Sequence, residues 1–409
     1  VGLSANLKKH GLEILRFKTG TPSRVDRRSL HMDKMELEEG DPENHAFSFM
    51  SERKDRNKRN CWLTYTNEKT HEIIRENIMR APKYAGKIHG IGARYCPSIE
   101  DKVVRFADKD RHQLFVEPEG LDTTEMYVQG MSTSMPIDVQ YAFLRTIPGF
   151  EDVKMMRPAY AIEYDLLDPL QLYPTLEVIK LPGLYSAGQS NGTSGYEEAA
   201  AQGLVAGINA ALKIQGKDPF ILARHEAYIG SLVDDLVTKG ADEPYRMMTS
   251  RSEYRLILRQ DNADLRLTEK GHSIGLVGEE RYARFLERKK KYEEAMDYIR
   301  TQRFTPKEEI NRALESMGTA PLTTGTGADQ ILKRPEMTYR KMMETLGCPA
   351  FDEEAVEEME ITVKYEGYIA RQAAAVRKAA RMVSAKSSTR RTVKLCFVMG
   401  TVMPSMYAS

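Results

Sequence analysis

Apolar and polar positions follow three regimes along this chain. Up to about residue 215, short apolar runs are broken every few residues by Gly, Pro and polar turns. From 218 to 316 and from 328 to 381 the apolar positions recur with helical period through charged sequence. From about Val383 that period is lost among Ser, Thr, Arg and Met, and no Asp or Glu follows Glu366. In chain order the pattern predicts a helix end over Leu3–His10, stopped at Gly11, and a strand over Glu13–Phe17. That strand closes in a polar turn, Lys18-Thr19-Gly20-Thr21-Pro22, the usual place for ligand contacts in a doubly wound sheet. Residues 23–60 read as irregular and polar, Cys61–Thr66 as an alternating strand, and Asn67–Met79 as a helix ending near Pro82. Residues 112–165 read as several short strands with turns at Glu119-Gly120 and Pro148-Gly149.

One stretch organises the rest. Leu184–Ala187 reads as a short strand within 183–188, then comes a loop of Gly, Ser, Thr and Asn, then a helix from about 195 to 212 built from small residues. Gly188, Gly192 and Gly195 allow backbone dihedrals closed to other residues and a close approach to a flat ligand. A thin helix of Ala199, Ala200, Ala201, Gly203, Ala206 and Gly207 can pack tightly, and its N-terminus favours an anion or an electron-rich ring edge. A glycine-rich turn alone is commonplace in α/β proteins. Strand, loop and small-residue helix in that order point to a cofactor, with the loop facing an open cleft.

A second stretch runs Gly92-Ala-Arg-Tyr-Cys-Pro-Ser-Ile-Glu-Asp-Lys-Val-Val-Arg-Phe106. Ser98 with Asp101 three residues later resembles a capping box and predicts a helix from Ile99. Cys96 then sits just ahead of a helix N-terminus near Arg94 and Lys102, which favours a thiolate nucleophile. The competing reading is a buried structural cysteine.

Composition narrows the classes. The chain has 409 residues, room for two to three domains, and 60 Lys plus Arg against 59 Asp plus Glu. Net charge therefore decides nothing about nucleic acid, and local clusters must. Arg53, Lys54, Arg56, Lys58 and Arg59 form a basic run that reads as a solvated loop or an RNA-backbone contact. Arg246-Met-Met-Thr-Ser-Arg-Ser-Glu-Tyr-Arg-Leu-Ile-Leu-Arg259 fits an ion-paired helix face or a phosphate-contacting one. Four scattered cysteines, Cys61, Cys96, Cys348 and Cys396, show no metal spacing or disulfide framework and suit a reducing, cytoplasmic setting. No metal site, membrane span or signal peptide is expected.

At Gly188-Gln-Ser-Asn-Gly-Thr-Ser-Gly-Tyr-Glu-Glu-Ala-Ala-Ala-Gln-Gly the chain closely resembles the MnmG/GidA family, the flavoprotein subunit of a bacterial tRNA uridine-modifying enzyme. Further matches are Arg16-Phe-Lys-Thr-Gly-Thr-Pro, Arg94-Tyr-Cys-Pro-Ser-Ile-Glu-Asp-Lys, Phe115-Val-Glu-Pro-Glu-Gly-Leu, Tyr160-Ala-Ile-Glu-Tyr-Asp, Thr249-Ser-Arg-Ser-Glu-Tyr-Arg-Leu and Lys364-Tyr-Glu-Gly-Tyr-Ile. The resemblance implies an α/β fold: a partial doubly wound FAD-binding domain of glutathione-reductase type, an inserted mixed α/β dinucleotide domain, and an all-α C-terminal domain. The implied boundaries are 1–22 and 166–215 for the FAD domain, 23–165 for the NAD and substrate insertion, 216–382 for the helical tRNA- and partner-binding domain, and 383–409 for an atypical, disordered tail.

The resemblance also implies FAD and NADH. Gln189 matches a flavin-contacting position, with Gly188, Asn191, Gly192, Thr193 and Gly195 around it. Gly92, Arg94, Tyr95, Ser98, Glu100, Asp101, Lys102 and Phe106 lie in the segment assigned to NAD contact, and Lys18 and Thr19 in the turn beside it. Cys96 matches one of two family catalytic cysteines. The family's action, with a GTPase partner of the MnmE family and as a homodimer, is on carbon 5 of the wobble uridine in a tRNA anticodon loop, using a folate one-carbon unit. The family's N-terminal Gly-x-Gly-x-x-Gly turn and an upstream cysteine are not found in the sequence. The expectation is that these 409 residues alone hold no stoichiometric FAD, make no stable partner complex and are poorly soluble. Two rivals stand beside this reading: a folate- and FAD-dependent tRNA uridine-5 methyltransferase, which lacks a long helical domain, and a non-catalytic tRNA- or partner-binding fragment.

Overall fold

The short apolar runs and the long helical period separate in space. A computed structural model of the chain describes residues 2–41, 46–51, 57–95 and 97–385, with side chains through 377. It divides into two units, Val1–Phe220 with Asp235–Met247, and Ile221–Asp234 with Met248–Ser409.

In chain order the first unit carries α1 (Gly2–Lys9), β1 (Ile14–Thr21), β2 (Arg24–Asp26), β3 (Glu36–Glu38), β4 (Cys61–Tyr65), α2 (Glu68–Glu76) and β5 (Ile91–Gly92). It continues with α3 (Ile99–Arg105), β6 (Gln113–Pro118), β7 (Glu125–Gln129), α4 (Ile137–Leu144), β8 (Met155–Arg157), β9 (Tyr160–Leu167) and α5 (Tyr196–Ile214). A three-stranded sheet has the order β5-β1-β9, and a six-stranded one the order β3-β4-β6-β7-β2-β8. All five pairings of the larger sheet are antiparallel. Alternate residues Leu114, Val116, Met126 and Val128 turn one face of it toward α2, α3 and α4. Ile74, Ile99, Val103, Val139, Phe143 and Leu144 complete that core, as expected where one sheet face must be covered.

Several expectations need correcting. The turn expected at Lys18–Thr21 is strand, because β1 pairs with β9 along its whole length, from Ile14 opposite Leu167 to Thr21 opposite Tyr160. The strand expected over 183–188 does not form. Tyr185 makes one isolated bridge to Glu177, and Gly188–Asn191 is a 3-10 turn. Side chains take the backbone groups a ladder would use: Asn191 donates to the Ser186 carbonyl at 2.6 Å, and the Gly188 N–H donates to Gln202 at 3.1 Å. The region read as irregular contains β2 and β3, and the run of strands is interrupted by α4. Arg246–Arg259 is not a helix face. Only Thr249–Arg251 forms a single 3-10 turn.

α6 (Tyr228–Lys239) carries the chain across the division. The second unit then holds α7 (Ala263–Ser273), α8 (Glu279–Thr301), α9 (Glu308–Ser316), α10 (Ala328–Leu332), α11 (Tyr339–Leu346) and α12 (Glu353–Ala385), with a two-residue pairing of β10 (Arg303–Phe304) and β11 (Thr326–Gly327). Ile299, Leu314, Ile331, Met342 and Met359 share its core. Helix α12 continues to Ala385, past the expected break near Val383; the remaining tail lies outside the described residues.

Arg259 is the hub of a buried ionic cluster in this unit. It donates to Asp261 at 2.9 Å and to Glu358 at 2.9 Å, so this arginine is spent on internal carboxylates. Burial, then the neighbouring Asp261, pushes the Glu358 carboxyl up to about 8 against the pull of Arg259. An unfolded glutamate titrates near 4.3, so the folded chain holds a proton that the unfolded one has lost between those values. Stability should therefore fall as pH rises from about 4.3 toward 8. Glu358→Gln should flatten that fall, as read by urea midpoints across pH.

Candidate functional site

Two places in the first unit concentrate polar side chains without exposing them. The first is the glycine loop. Gly188 and Gly192 have φ of +77° and +84°. A Cβ on Gly192 would lie 2.9 Å from Leu166 and 3.1 Å from Ala241, so position 192 needs glycine for both dihedral and space. The loop is two-sided. Gln189, Ser190 and Ser194 are exposed, whereas Gly188, Asn191, Gly192, Thr193 and Gly195 are buried.

Gln202 of α5 holds the buried side. It is 0% exposed. Its amide oxygen accepts from the Gly188 N–H and the Asn191 side chain, both at 3.1 Å, and its nitrogen donates to Thr193 Oγ1 at 3.0 Å. Sequence reading missed Gln202 as a positioning residue; the signal was a polar residue in a small-residue helix. Glu198 beside it accepts from the Met247 N–H at 2.7 Å and from Arg246 Nε at 3.2 Å. Gly195 caps α5 with no side-chain hydrogen bond, so the first amides of the helix are not taken by a cap. On the exposed side Gln189 lies near Tyr164, whose hydroxyl has no hydrogen-bond partner among the described residues and is pushed up to about 12 by burial.

The second place is a cleft lined by Lys18 and Gly20 of β1, Gly92 of β5, Ser98, Glu100 and Asp101 at the start of α3, and Ser132–Ser134 after β7. Thr19 also lines it. Both edges depend on glycine. A Cβ on Gly20 would lie 2.7 Å from Ser132 Oγ, and one on Gly92 2.8 Å from Lys18 Cε. Helix α3 starts where its sequence predicts, with Ser98 accepting from the Asp101 N–H. The capping box is only half made, because the Asp101 carboxylate is drawn elsewhere. It accepts from Lys83 and, at 3.0 Å, from the Tyr84 hydroxyl, and lies 3.8 Å from Lys18 Nζ. Burial alone would raise the Asp101 carboxyl. The Lys83 hydrogen bond and the Lys18 and Lys83 charges outweigh burial and hold it below the ordinary range.

Glu100, also fully buried, uses Oε1 to accept from the Ser134 N–H at 3.1 Å and hydroxyl at 3.0 Å. Its Oε2 has no hydrogen-bond partner among the described residues. The other expected contacts scatter. Arg94 pairs with Glu243 at 3.3 Å, Lys102 donates to the Gly130 carbonyl at 3.1 Å, and Tyr95 and Phe106 are exposed. Cys96, with Arg53, Lys54 and Arg56 of the basic run, lies outside the described residues. Arg59 of that run donates to the Leu121 carbonyl at 2.9 Å. Among the described residues no cluster of three or more metal-ligating side chains occurs, and no helix is long and apolar enough to cross a membrane.

Comparison with known proteins follows the same division. The family profile described as glucose inhibited division protein A matches residues 1–218, and that of the tRNA modifying enzyme MnmG/GidA C-terminal helical domain matches 279–373. The tRNA uridine 5-carboxymethylaminomethyl modification enzyme MnmG of Caldicellulosiruptor saccharolyticus is 57% identical over 371 residues, 90% of this chain and 59% of that protein. The enzyme of the same name from Enterococcus faecalis is 56% identical over 386 residues, 93% of this chain and 61% of that one. Aquifex aeolicus GidA, in its form II crystal, superposes with a TM-score of 0.82 at 44% identity, covering 95% of this chain and 61% of that chain. The chain thus spans about three-fifths of the length of these curated relatives.

Two outcomes test the geometry. Gln202→Leu leaves the Gly188 N–H and the Asn191 and Thr193 side chains short of a buried partner, and should cost at least about 2 kcal/mol in chemical denaturation. Asp101 titrates below its unfolded value of about 3.9. Its contribution is present above that value and lost as pH falls through the depressed one. Asp101→Asn should be less stable at pH 7 and show a shallower acid limb.

Proposed function

This chain belongs to the MnmG/GidA family of tRNA-modifying enzymes, and we propose that it serves that family's reaction, addition of a carboxymethylaminomethyl or aminomethyl group to carbon 5 of the wobble uridine of tRNA. The observation that carries the reading is that the Gln189 loop and the Lys18–Glu100–Asp101 cleft both fall in the one unit that the GidA profile spans. FAD is the proposed cofactor of the loop. The residues fit it: the positive φ of Gly188 and Gly192 turns the chain tightly, Gln189 is exposed, and the start of α5 lacks a side-chain cap. When bound, a flavin with NADH supplies the hydride chemistry.

The chain's own part is orientation and nucleophilic activation. Gln202 keeps the loop in register. Asp101, ionised by its two lysines, fixes Lys18 at the cleft wall. The Cys96 thiolate is proposed to add to carbon 6 of the uracil, which makes carbon 5 enolate-like and able to take up a folate-derived one-carbon unit. An anticodon-loop base is already unpaired, so presenting it costs little. An MnmE-family GTPase, a second copy of the chain and a cytoplasmic setting complete the proposal. The helical-domain match over 279–373 favours it over the methyltransferase reading.

Mass spectrometry of tRNA nucleosides from cells lacking the gene should show loss of the 5-carboxymethylaminomethyl family of uridines. Re-expression should restore them, and re-expression of Cys96→Ser should not. Unchanged nucleosides in the deletion strain would overturn the function. Restoration by Cys96→Ser would overturn the role of that cysteine.

A further inference from the structure

The cleft beside α3 contains two polar atoms that make no hydrogen bond among the described residues. Glu100 Oε2 belongs to a fully buried carboxyl whose other oxygen is fixed by both donors of Ser134, so the group cannot turn toward water without breaking those bonds. Leaving such an acceptor unpaired carries a desolvation penalty, which a ligand N–H would remove. Lys18 Nζ is the second. Its only ion-pair neighbour among the described residues, Asp101 Oδ2, is 3.8 Å away, beyond hydrogen-bond length, while Asp101 is itself satisfied by Lys83 and Tyr84. Both residues line the same cleft. One wall thus offers a fixed acceptor and a cationic donor.

We propose that this cleft binds an amide whose N–H and C=O lie side by side, with Glu100 Oε2 accepting from the N–H and Lys18 Nζ donating to the carbonyl oxygen. The inference rests on the functional reading above and deepens it, because that reading brings two such groups to the site: the imide edge of uracil and the carboxamide of a nicotinamide. Cytosine fails the test, since its ring nitrogen at the corresponding position carries no proton. Glu100 is then a specificity-determining residue, and Ser134 positions it.

The change Glu100→Gln tests this at one atom. Glutamine keeps the oxygen that serves Ser134 and turns an N–H2 toward the cleft, so donor faces donor. Binding is measured by calorimetry on the 409-residue chain with uridine 5′-monophosphate, its ring N-methylated analogue, cytidine 5′-monophosphate, NADH, and the NADH analogue bearing acetyl in place of carboxamide. Saturable binding of uridine monophosphate but neither the methylated nor the cytidine compound assigns the cleft to the base. Binding of NADH but not its acetyl analogue assigns it to the nicotinamide. In either case Glu100→Gln should weaken the bound probe by roughly 10–100-fold. The analogue comparison is made on the unaltered chain, so it stands even if the variant fails to fold. No binding by either parent probe, equal binding of the analogues, or unchanged affinity in a folded Glu100→Gln protein overturns the proposal. Overturned binding alongside nucleosides lost in the deletion strain would reject the cleft assignment and leave the function standing. The reverse pattern would reject the function alone.

Discussion

Two adjacent carboxylates at the start of α3 must leave water for the first unit to close, and that demand governs its architecture. A buried carboxylate without partners is costly enough that the chain has to bring cations and N–H groups to it. Asp101 is met by Lys83 and Tyr84 from the segment after α2 and approached by Lys18 from β1. Glu100 is met by Ser134 from the segment after β7. Elements far apart in sequence thereby converge on one turn of helix, and the three-stranded sheet is tied to the six-stranded one at the cleft between them. The apolar core supplies most of the stabilisation, but it is indifferent to which edge of the sheet meets which. The charges are not.

The glycine loop obeys the same rule with neutral groups. Its close turns leave backbone donors and acceptors that no strand ladder satisfies, and buried main-chain groups must be paired. The Gln202 oxygen takes the Gly188 N–H and the Asn191 amide takes the Ser186 carbonyl, while the other end of the Gln202 amide holds the Thr193 hydroxyl. Side-chain pairing leaves the outer edge of the loop, with Gln189 and Ser190, exposed. A ladder would have given that edge to a neighbouring strand. The loop can therefore be rigid and open to a ligand together, which a preorganised binding site requires.

The helical unit solves a different problem. Its sequence is dense in charge, and much of that charge is committed internally. Arg259 joins Asp261 and Glu358, and Arg288 joins Asp264 and Glu354. Arginines that read as a contiguous basic stretch are thus not equivalent in space. Arg246 lies with Glu198, against the base of the glycine loop.

The sequence alone determined what depends on local chemistry. The helix start at Ser98, the α5 helix after Gly195, the strand from Cys61, the helix from Asn67, the helical period after 218 and the family itself could all be read from residues within a few positions of one another. Tertiary structure decided what depends on partners distant in the chain. β1 runs on through Lys18–Thr21 because β9, nearly 150 residues away, offers a complete ladder. Before Gly188 the backbone makes one isolated bridge and scattered bonds to Leu176, Val178 and Leu181, while Asn191 takes the Ser186 carbonyl and Gln202 the Gly188 N–H, so no ladder runs on. Half of the expected capping box is missing because Lys83 competes for Asp101 more strongly than the Ser98 N–H does. Most of all, only the fold brought Lys18, Glu100 and Ser134 to one wall. A sequence records which groups can ionise or donate, but which of them remain unpaired is settled by every other group that packs around them.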